Sequence, residues 1–504
     1  MSRKVTDNVV VDTIIIGAGF SGLGAAIRLS QLGKDFLVLE RGTDVGGTWR
    51  DNTYPGAACD VPSQLYSYSF ALNPTWTRSF SKQPEIQSYI QDVAKNHNVY
   101  DRCVFDCDVL EARWNEETLH WDLQTSKGAY SAKKLIGAIG ALCEPSLPNI
   151  KGIQGFQGEI FHSARWNHDA DLKGKRVAII GTGASAIQIV PAIVDEVASL
   201  DVYQRTAPWL LPRVDRPYTQ IEREAFKRVP AVMQLYRTGI YAARETQVLG
   251  LAKLPVLMTG FELLSRAKIF AEIRDPELRK KVTPDFRIGC KRMLISNDYY
   301  PALDRDHVDL VTDGIAEVRA NSIVTADGTE REIDALIVAT GFHVTDSPAF
   351  KTIYGVGGRS LSDVWDEIGM QAYKGAAVAG FPNMFLLVGP NTGLGHTSMV
   401  FMIESQLNYV TDAVEQLDKQ GVERFEVRKD AQTKYNKDLQ KSLAGSVWST
   451  GGCASWYLDK HGNNTTLWPG FTFTFRQITK NFDADAYETS SNVVSLREEK
   501  VAAR

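Results

Sequence analysis

The chain lacks several features that mark particular classes of protein. Its 504 residues include only six cysteines, which form no CxxC pair and are too few for a disulfide scaffold. Lys plus Arg number 56 and Asp plus Glu number 60, which leaves a net charge of -4 without a long basic run. We therefore expect a globular protein of the reducing cytoplasm, with no nucleic-acid partner and no metal site.

Long apolar runs are also missing. The most apolar stretch, residues 248–264, is interrupted by Lys253, Pro255 and Glu262, so no integral membrane segment is expected. The opening residues, MSRKVTDNVVVD, lack the apolar core of a signal peptide. The length is large for one core and suits about two or three domains.

A glycine-rich turn lies near the N-terminus. The stretch VDTIIIGAGFSGLGAAIRLSQLGKDFLVLERG is typical of a strand, a turn, an amphipathic helix and a second strand ending at Glu40. In such a Rossmann unit Gly17 permits the turn, Gly19 lets a pyrophosphate approach, and Gly22 lets helix and strand pack closely. Glu40 suits ribose hydroxyls, so the unit predicts an FAD site, with a purely structural turn as the alternative.

A second unit follows at KGKRVAIIGTGASAIQIV, in the GxGxxA variant. It carries Gly181, Gly183 and Ala186, and its second strand is followed by Arg205 at the place that Glu40 takes in the first unit. A cation there suits the 2'-phosphate of NADP. The simpler alternative is a solvated surface arginine.

Two longer patterns surround these turns. Residues 156–166 read FxGxxxHxxxW, and residues 46–60 read GGTWRDNTYPGAACD, which matches [AG]GxWxxxx[FY]P[GM]xxxD at every fixed position. Together they resemble the fingerprints of type I Baeyer–Villiger monooxygenases, a branch of the class B flavoprotein monooxygenases. Asn167 departs from the family pattern, which has Pro or Asp there. The first fingerprint consists of Phe156, Gly158, His162 and Trp166.

The resemblance implies an α/β fold with two Rossmann-like domains. The NADP domain is inserted into the FAD domain, and residues rich in Leu, Ala, Arg and Glu at helical spacing predict a further helical insertion. The expected boundaries are 1–145 and 373–504 for the FAD domain, 146–215 and 285–345 for the NADP domain, 216–284 for the helical insertion and 346–372 for a linker.

The resemblance also implies the reaction. NADPH reduces FAD, dioxygen adds to form a peroxyflavin, and one oxygen atom is inserted next to a ketone carbonyl to give an ester or lactone. Arg292 is expected to stabilise the developing anions, and Asp60 is expected to hold Arg292 in place. Lys291 would join Arg205 and Thr206 around the NADP phosphate. The predicted cofactor-binding residues are Gly17, Gly19, Gly22, Glu40, Gly47, Thr48, Trp49, Gly181, Gly183, Ser185, Ala186, Arg205, Thr206, Lys291, Gly393 and Gly395.

Two histidines have open roles. His162 lies in the connection to the NADP domain, where a hinge, a general acid or base and a satisfied structural histidine are all compatible with the sequence. His396, in GPNTGLGHTS, could contact the flavin or substrate or could stabilise its own loop.

Other functions compete with ketone oxidation. A class B enzyme could act mainly on sulfur or nitrogen, although Trp166 favours ketones. An NADPH-dependent disulfide reductase also combines two Rossmann domains, but Cys103 and Cys107 are spaced CxxxC and lie away from both glycine turns. A nonenzymatic dinucleotide sensor is the third alternative. The expected partners are a small ketone and dioxygen.

Overall fold

The computed structural model describes residues 9–489. The two outer ends of the predicted FAD domain, including its polar C-terminal tail, lie outside the described residues. The first described segment is a Rossmann unit followed by a β-meander. Its elements are β1 (Val9–Ile16), α1 (Phe20–Gln31), β2 (Phe36–Leu39), α2 (Thr48–Asp51), α3 (Gln83–Asn96), β3 (Cys103–Val104), β4 (Val109–Asn115), β5 (His120–Thr125) and β6 (Gly128–Gly137).

The chain then enters a second Rossmann unit. Its strands are short and buried, as expected of a parallel sheet covered on both faces. The elements are β7 (Glu159–His162), β8 (Arg176–Ile180), α4 (Ala186–Ile193), β9 (Ser199–Tyr203) and β10 (Leu210–Leu211).

Residues 220–282 are helical, which confirms the predicted helical insertion. Helix α5 begins with a capping box, in which Thr219 accepts from the Glu222 backbone and Glu222 accepts from Thr219. The elements are α5 (Gln220–Arg228), α6 (Pro230–Glu245), a π-helical turn (Leu249–Lys253), a 3-10 turn (Pro255–Met258), α7 (Thr259–Glu272) and α8 (Pro276–Val282).

The second domain resumes after the insertion and is completed by a parallel strand. The elements are β11 (Leu294–Ile295), α9 (Tyr299–Leu303), β12 (Val308–Val311), β13 (Ile315–Val318), β14 (Ser322–Thr325), β15 (Glu330–Glu332) and β16 (Ala335–Val338). The five-stranded sheet of this domain is entirely parallel, in the order β12-β9-β8-β16-β7.

The remaining residues return to the first domain. They contribute β17 (Ile353–Tyr354), α10 (Leu361–Ile368), β18 (Met384–Leu386), α11 (Met399–Lys419), β19 (Phe425–Val427), α12 (Lys429–Leu443), α13 (Val447–Thr450), α14 (Thr472–Ile478) and β20 (Tyr487–Thr489). Strand β18 pairs with β6, so the first sheet is built from both ends of the chain and the second domain is inserted into the first.

The segment predicted as a linker, residues 346–372, differs from the expectation. Strand β17 pairs with β4 in the first sheet, and Leu361 and Trp365 of α10 are buried in the core beneath that sheet. The first domain therefore resumes near Ile353 rather than near residue 373. The sequence signal was weak because a two-residue edge strand has no periodicity to detect.

The described residues contain no single helix that is both long and apolar enough to cross a membrane. One pair of helical segments, Pro230–Lys253 and Pro255–Glu272, passes that test together, and the two are bent by 120° relative to each other.

Candidate active site

A cavity of about 1650 Å³ lies between the two Rossmann domains. Loops that follow β1, β2, β8 and β9 line it, so it lies at the carboxyl ends of parallel strands in both sheets. Ligands of open α/β sheets bind at this edge. The volume exceeds the roughly 300–1,000 Å³ of a typical drug-sized site, which suits a site for more than one ligand.

The first glycine turn has the geometry that its sequence predicted. Gly17 has φ +103°, a conformation that favours glycine. A Cβ added to Gly22 would lie 1.8 Å from the carbonyl oxygen of Gly17, so only glycine lets α1 approach the turn this closely. Gly17 and Gly19 line the cavity, whereas Gly22 supports them from behind.

Glu40 lies at the end of β2 and is buried, with 4% of its surface exposed. Its carboxylate accepts hydrogen bonds from the backbone N–H groups of Ala18 at 2.7 Å and Gly42 at 2.8 Å, and from Arg50 Nη1 at 2.6 Å. A carboxylate has about four acceptor positions, so these three bonds leave room for about one ribose hydroxyl. Sequence reasoning missed Arg50, which no Rossmann pattern includes.

The fingerprint at residues 46–60 performs two structural tasks. At its start, Gly47 has φ +54°, and a Cβ added there would lie 3.1 Å from the Cα atom of Gly19. At its end, Gly56 has φ +81° and packs against the backbone of Gln188 in α4. Thr48, Trp49 and Asp60 line the cavity.

Gln188 joins the two domains. Its Oε1 accepts hydrogen bonds from the Tyr54 hydroxyl at 3.1 Å and from the Ala58 backbone at 3.2 Å, and its Nε2 donates to the Ala58 carbonyl at 3.0 Å. The fingerprint of the first domain is therefore docked on a helix of the second. Sequence reasoning did not identify Gln188, because no local pattern distinguishes it from other helix residues.

The second glycine turn repeats the first. Gly181 has φ +112°, and a Cβ added there would lie 2.4 Å from the Ala339 carbonyl oxygen. Gly183 has no atom within 4 Å of the corresponding position and faces open space. Ser185 also lines the cavity, and Ala186 is buried at the start of α4.

Three predicted phosphate ligands line the cavity, namely Arg205, Thr206 and Lys291. Burial and the positive charge of Arg205 both lower the pKa of Lys291, while Asp285 opposes the shift. The two cations therefore lie close enough to repel each other. An anion bound between them would relieve that repulsion.

Arg292 and Asp60 form a bidentate ion pair at the cavity wall. Arg292 Nε donates to Asp60 Oδ2 at 2.8 Å, and Nη2 donates to Oδ1 at 2.8 Å. The third nitrogen, Nη1, lies 3.4 Å from the carbonyl oxygen of Leu394. The negative charge of Asp60 raises the pKa of Arg292, so its guanidinium stays protonated throughout the pH range of proteins.

Arg244, in α6, is a further cation near this pair. Burial lowers its pKa, the charge of Asp60 raises it, and the charge of Arg292 lowers it again. The helical insertion thus contributes positive potential to the site. Its sequence carried no signal for this role, because Arg244 is one of many arginines at helical spacing.

Two of the three glycines in the loop at residues 389–398, Gly393 and Gly395, have different surroundings. Gly393 lines the cavity, and its N–H donates to the Thr466 carbonyl at 2.8 Å. Gly395 does not line the cavity, and it packs against Leu251 and Trp448. A Cβ added to Gly395 would lie 3.3 Å from Leu251 and 3.5 Å from Trp448, so the predicted contact of Gly395 with the flavin stays a prediction.

His396 directly follows Gly395 in this loop. Its side chain is fully buried, and Nε2 lies 3.3 Å from Glu245 Oε1. Hydrogen bonds from His396 and Thr472 lower the pKa of Glu245 against the opposing effect of burial. Of the open roles for His396, this geometry favours stabilisation of the loop.

The fingerprint FxGxxxHxxxW lies on the second sheet and none of its four fixed residues lines the cavity. Strand β7, which ends at His162, pairs with β16. A Cβ added to Gly158 would lie 2.3 Å from the Asp334 carbonyl oxygen, Phe156 is buried, and the rings of Trp166 and Phe161 meet edge to face at 4.9 Å. The motif therefore packs β7, the edge strand of this sheet, tightly against its neighbours.

His162 is buried, with its ring against Phe342 at 5.8 Å, and its Nδ1 accepts from the Ala164 backbone at 3.1 Å. Burial lowers its pKa to about 4, so the ring is neutral at neutral pH. Asn167 Nδ2 donates to Glu159, and its Oδ1 accepts from the Asp169 backbone, as an aspartate could. The departure at Asn167 is thus compatible with the family turn.

One disulfide bond was not predicted. Cys290 and Cys453, separated by 163 residues in the sequence, are covalently joined. The other four cysteines are free, including Cys103 and Cys107, so the CxxxC pair considered for a disulfide reductase is not bonded.

The cavity fits dinucleotide cofactors by its lining. Both glycine turns offer backbone to a pyrophosphate, and each is closed to any larger residue at Gly17 or Gly181. The hydroxyls of Thr397, Thr465 and Thr466 are buried and have no hydrogen-bond partner within residues 9–489. All three residues line the cavity, so a ligand with polar ring atoms would satisfy them.

Comparison with known proteins supports the family resemblance that the fingerprints indicate. Residues 14–274 match the family model described as pyridine nucleotide-disulphide oxidoreductase. The chain is 49% identical to a Baeyer–Villiger monooxygenase of Pseudomonas aeruginosa, over 96% of this chain and 93% of that protein. It is 48% identical to a Baeyer–Villiger monooxygenase of Streptomyces coelicolor, over 95% of this chain and 92% of that protein.

A solved structure extends the match to the fold. The crystal structure of OTEMO in complex with FAD and NADP superposes with a TM-score of 0.86 at 27% identity, and the match covers 96% of this chain and 100% of that one. The identities and their coverage confirm the family resemblance of the two fingerprints. The chain therefore belongs to the type I Baeyer–Villiger monooxygenases, NADPH-dependent flavoproteins that insert one oxygen atom of dioxygen next to a ketone carbonyl.

Proposed function

We propose that the chain oxidises a small ketone in the cavity between its two domains, with Arg292 and Asp60 as the catalytic pair. The observation that carries this assignment is the bidentate ion pair at the cavity wall, 2.8 Å at both contacts. The pair leaves Nη1 free apart from a long contact of 3.4 Å to Leu394. A free N–H donor that is already oriented is what a developing oxyanion needs.

FAD, reduced by NADPH, supplies the oxygen-transfer chemistry when both are bound. Gly17 and Gly19 would hold the FAD pyrophosphate with their backbone, and Glu40 would accept from a ribose hydroxyl. Gly47, next to Gly19, and Thr48 and Trp49 would complete this part of the site. Thr397, Thr465 and Thr466 would offer their unpaired hydroxyls to the cofactor, and Gly393 would allow its close approach.

NADPH would bind at the second glycine turn. Gly181, Gly183 and Ser185 would hold its pyrophosphate, and Arg205, Thr206 and Lys291, which line the cavity, would bind the 2'-phosphate. The mutual repulsion of Arg205 and Lys291 supports this assignment, since a dianionic phosphate converts it into attraction. Gly22 and Ala186 act from behind the two turns by allowing close packing of helix on strand.

Arg292 acts on the substrate in two ways. Its guanidinium keeps its positive charge throughout the reaction, because Asp60 raises its pKa. With Nε and Nη2 occupied by Asp60, Nη1 would donate to the carbonyl oxygen as negative charge develops there. Asp60 fixes the plane of the fork through both of its oxygens.

The motif of Phe156, Gly158, His162 and Trp166 is assigned a hinge role. It lies on the connection between the domains and lines no part of the cavity within the described residues. A neutral, buried His162 suits packing better than proton transfer. We assign the first domain to 1–145 and 353–504, the second to 146–215 and 285–345, and the helical insertion to 216–284, and we place the enzyme in the cytoplasm.

A ketone panel tests the proposed function. The purified holoenzyme is supplied with NADPH and linear, cyclic or aromatic ketones, and oxygen uptake and product mass are followed. We expect products that have gained one oxygen atom, with one NADPH consumed for each. Oxidation of sulfides or amines alone would contradict ketone oxidation and favour the sulfur and nitrogen branch of the class.

A further inference from the structure

The Cys290–Cys453 disulfide connects the segment that carries Arg292 to the rim of the cavity. Cys290 precedes Lys291 and Arg292 directly, and both of these cations line the cavity. Cys453 precedes residues 454–456, which also line the cavity. A single covalent bond therefore joins two cavity walls at the site of the proposed chemistry.

The two joined segments come from different domains. Residues 283–293 lead from α8 to β11 in the second domain, whereas residues 446–457 belong to the first domain. They are in close contact: the Arg287 N–H donates to the Gly451 carbonyl at 3.0 Å. A Cβ added to Gly451 would lie 2.9 Å from Cys290 Sγ, so glycine is needed at this crossing.

The disulfide restrains the backbone of the segment that carries Arg292, whereas Asp60 holds only the guanidinium. The guanidinium is held by Asp60, but the backbone of its segment is a loop without regular structure between α8 and β11. Hydrogen bonds from Cys290 N–H to the Arg287 carbonyl, at 3.1 Å, and from Ile288 N–H to Glu262, at 3.1 Å, hold that loop noncovalently. Only the disulfide ties it covalently to the first domain within the described residues.

We propose that the Cys290–Cys453 disulfide is a redox-dependent tether that positions Arg292 for oxygen insertion. The proposal rests on the proposed function of Arg292. With the disulfide intact, Arg292 is held at both ends and NADPH oxidation is coupled to ester formation. After reduction, the loop relaxes, FAD stays bound, and a larger share of the NADPH is spent on hydrogen peroxide.

The chemistry of the switch is thiol–disulfide exchange with a dithiol, either small or part of a protein. Cys453 is partly exposed and Cys290 is buried, so a thiolate of the dithiol attacks Cys453 Sγ and the Cys290 thiolate leaves. The second thiol of the reductant then displaces Cys453. Two electrons pass from the dithiol, which becomes a disulfide, and Cys290 and Cys453 each end with one proton.

Three of the four free cysteines are weak competitors in this exchange. Burial raises the pKa of Cys103 to about 12 and that of Cys143 to about 11, and it raises the pKa of Cys59 further. These thiols are protonated at neutral pH and are weak nucleophiles. Reoxidation should therefore restore the same pair rather than scramble it.

The test compares the holoenzyme before and after treatment with dithiothreitol, with peptide mapping to establish the state of Cys290 and Cys453. We expect reduction to lower kcat for ester formation roughly tenfold, within the about hundredfold loss that a 1 Å misplacement can cause. The ester formed per NADPH should fall, hydrogen peroxide should rise, and FAD content should not change. Reoxidation with oxidised glutathione should restore coupling.

Variants separate this role from general stabilisation. Cys453→Ser should behave like the reduced enzyme and should not respond to dithiothreitol, whereas Cys103→Ser, which removes a free thiol outside the cavity, should respond like the unaltered enzyme. If Cys453→Ser does not fold, the reversible dithiothreitol response of the unaltered enzyme decides alone. Free thiols at both positions in the oxidised enzyme, or equal coupling in both redox states, would overturn the tether.

A parallel measurement on Arg292→Ala distinguishes the two proposals. If that variant forms ester at the unaltered rate, the proposed function of Arg292 fails and the tether fails with it. If it loses ester formation while reduction of the disulfide changes nothing, only the tether is wrong.

Discussion

Arg292 donates two parallel hydrogen bonds of 2.8 Å to Asp60, which lies 232 residues earlier in the sequence. Asp60 ends the fingerprint of the first domain, and Arg292 lies on a loop of the second, so the pair forms only when the domains are docked. A guanidinium paired in this way keeps both its charge and its plane.

Replacing Arg292 with alanine should leave FAD bound but reduce ester formation by about 10² to 10³ in rate, the usual cost of one preorganised oxyanion donor. Lysine should rescue poorly, because a point charge cannot reproduce the planar fork. Ester, hydrogen peroxide and flavin content are measured on the same preparation. Arg287→Ala is the matched control, since its side chain lies outside the cavity, and an equal loss in that variant would contradict the specific role.

Asp60→Asn should lower ester formation by about tenfold or more, because Arg292 keeps its charge but loses the partner that fixes its plane. Asp60 acts through Arg292, so the double variant Asp60→Asn/Arg292→Ala should be no slower than Arg292→Ala alone. Steady-state rates of the unaltered enzyme, the two single variants and the double variant complete this double-mutant cycle. Strictly additive losses would show that Asp60 has a role independent of Arg292.

Arg205→Gln should weaken the use of NADPH by roughly ten- to a hundredfold, since a charge-assisted hydrogen bond contributes about 1.5–3 kcal/mol. The use of NADH should hardly change, because NADH has no 2'-phosphate. The ratio of kcat/KM for the two cofactors is the readout. Arg319→Gln, on an exposed hairpin with Glu317 and Glu330 as partners, should leave the ratio unaltered. An unchanged ratio in Arg205→Gln would remove that residue from the phosphate site.

Two glycine substitutions should differ in their effect on stability. The methyl group of Gly22→Ala would lie 1.8 Å from a backbone oxygen, so overpacking of about 1–3 kcal/mol and loss of FAD are expected. Gly183→Ala meets no atom within 4 Å, so it should keep the unfolding temperature and weaken NADPH binding alone. Thermal unfolding, flavin absorbance and NADPH titration distinguish the two, and an equally unstable Gly183→Ala would contradict the open geometry of the second turn.

His162 should make stability sensitive to acid. Its pKa falls from 6.5 to about 4 on folding because burial disfavours the imidazolium. The unfolded chain therefore takes up the proton first, and stability that is present above pH 6.5 is lost as the pH falls towards 4, by at most about 1.4 kcal/mol per pH unit. His162→Asn should show a flatter decline of the unfolding midpoint over this range. An equally steep decline would mean that His162 does not remain neutral in the fold.

Local patterns explain how much of the fold was predictable. Both glycine turns were predicted with their strands and helices, since a positive φ at Gly17 and Gly181 leaves glycine as the favoured residue. The helical insertion was predicted from its periodicity. The short strand β17 was missed and its segment assigned to a linker, because two residues carry too little pattern for a strand to be detected.

The site was predictable where a family fingerprint covers it. The resemblance implied the pairing of Asp60 with Arg292, and the structure brings these residues together. It also implied a flavin contact for Gly395, which does not line the cavity and where an added Cβ would meet Leu251 and Trp448. A fingerprint records which residue types recur, whereas the direction a loop residue faces depends on what packs behind it.

By itself the sequence determined the two dinucleotide units, their acid and arginine termini at Glu40 and Arg205, and the family, because each is encoded within a short contiguous stretch. Only the tertiary structure decided that Gln188 docks the domains, that His396 turns towards Glu245, and that Cys290 is bonded to Cys453. These contacts join residues about 130 to 160 positions apart. Their distances depend on how whole domains pack, and neither spacing nor periodicity along the chain carries that information.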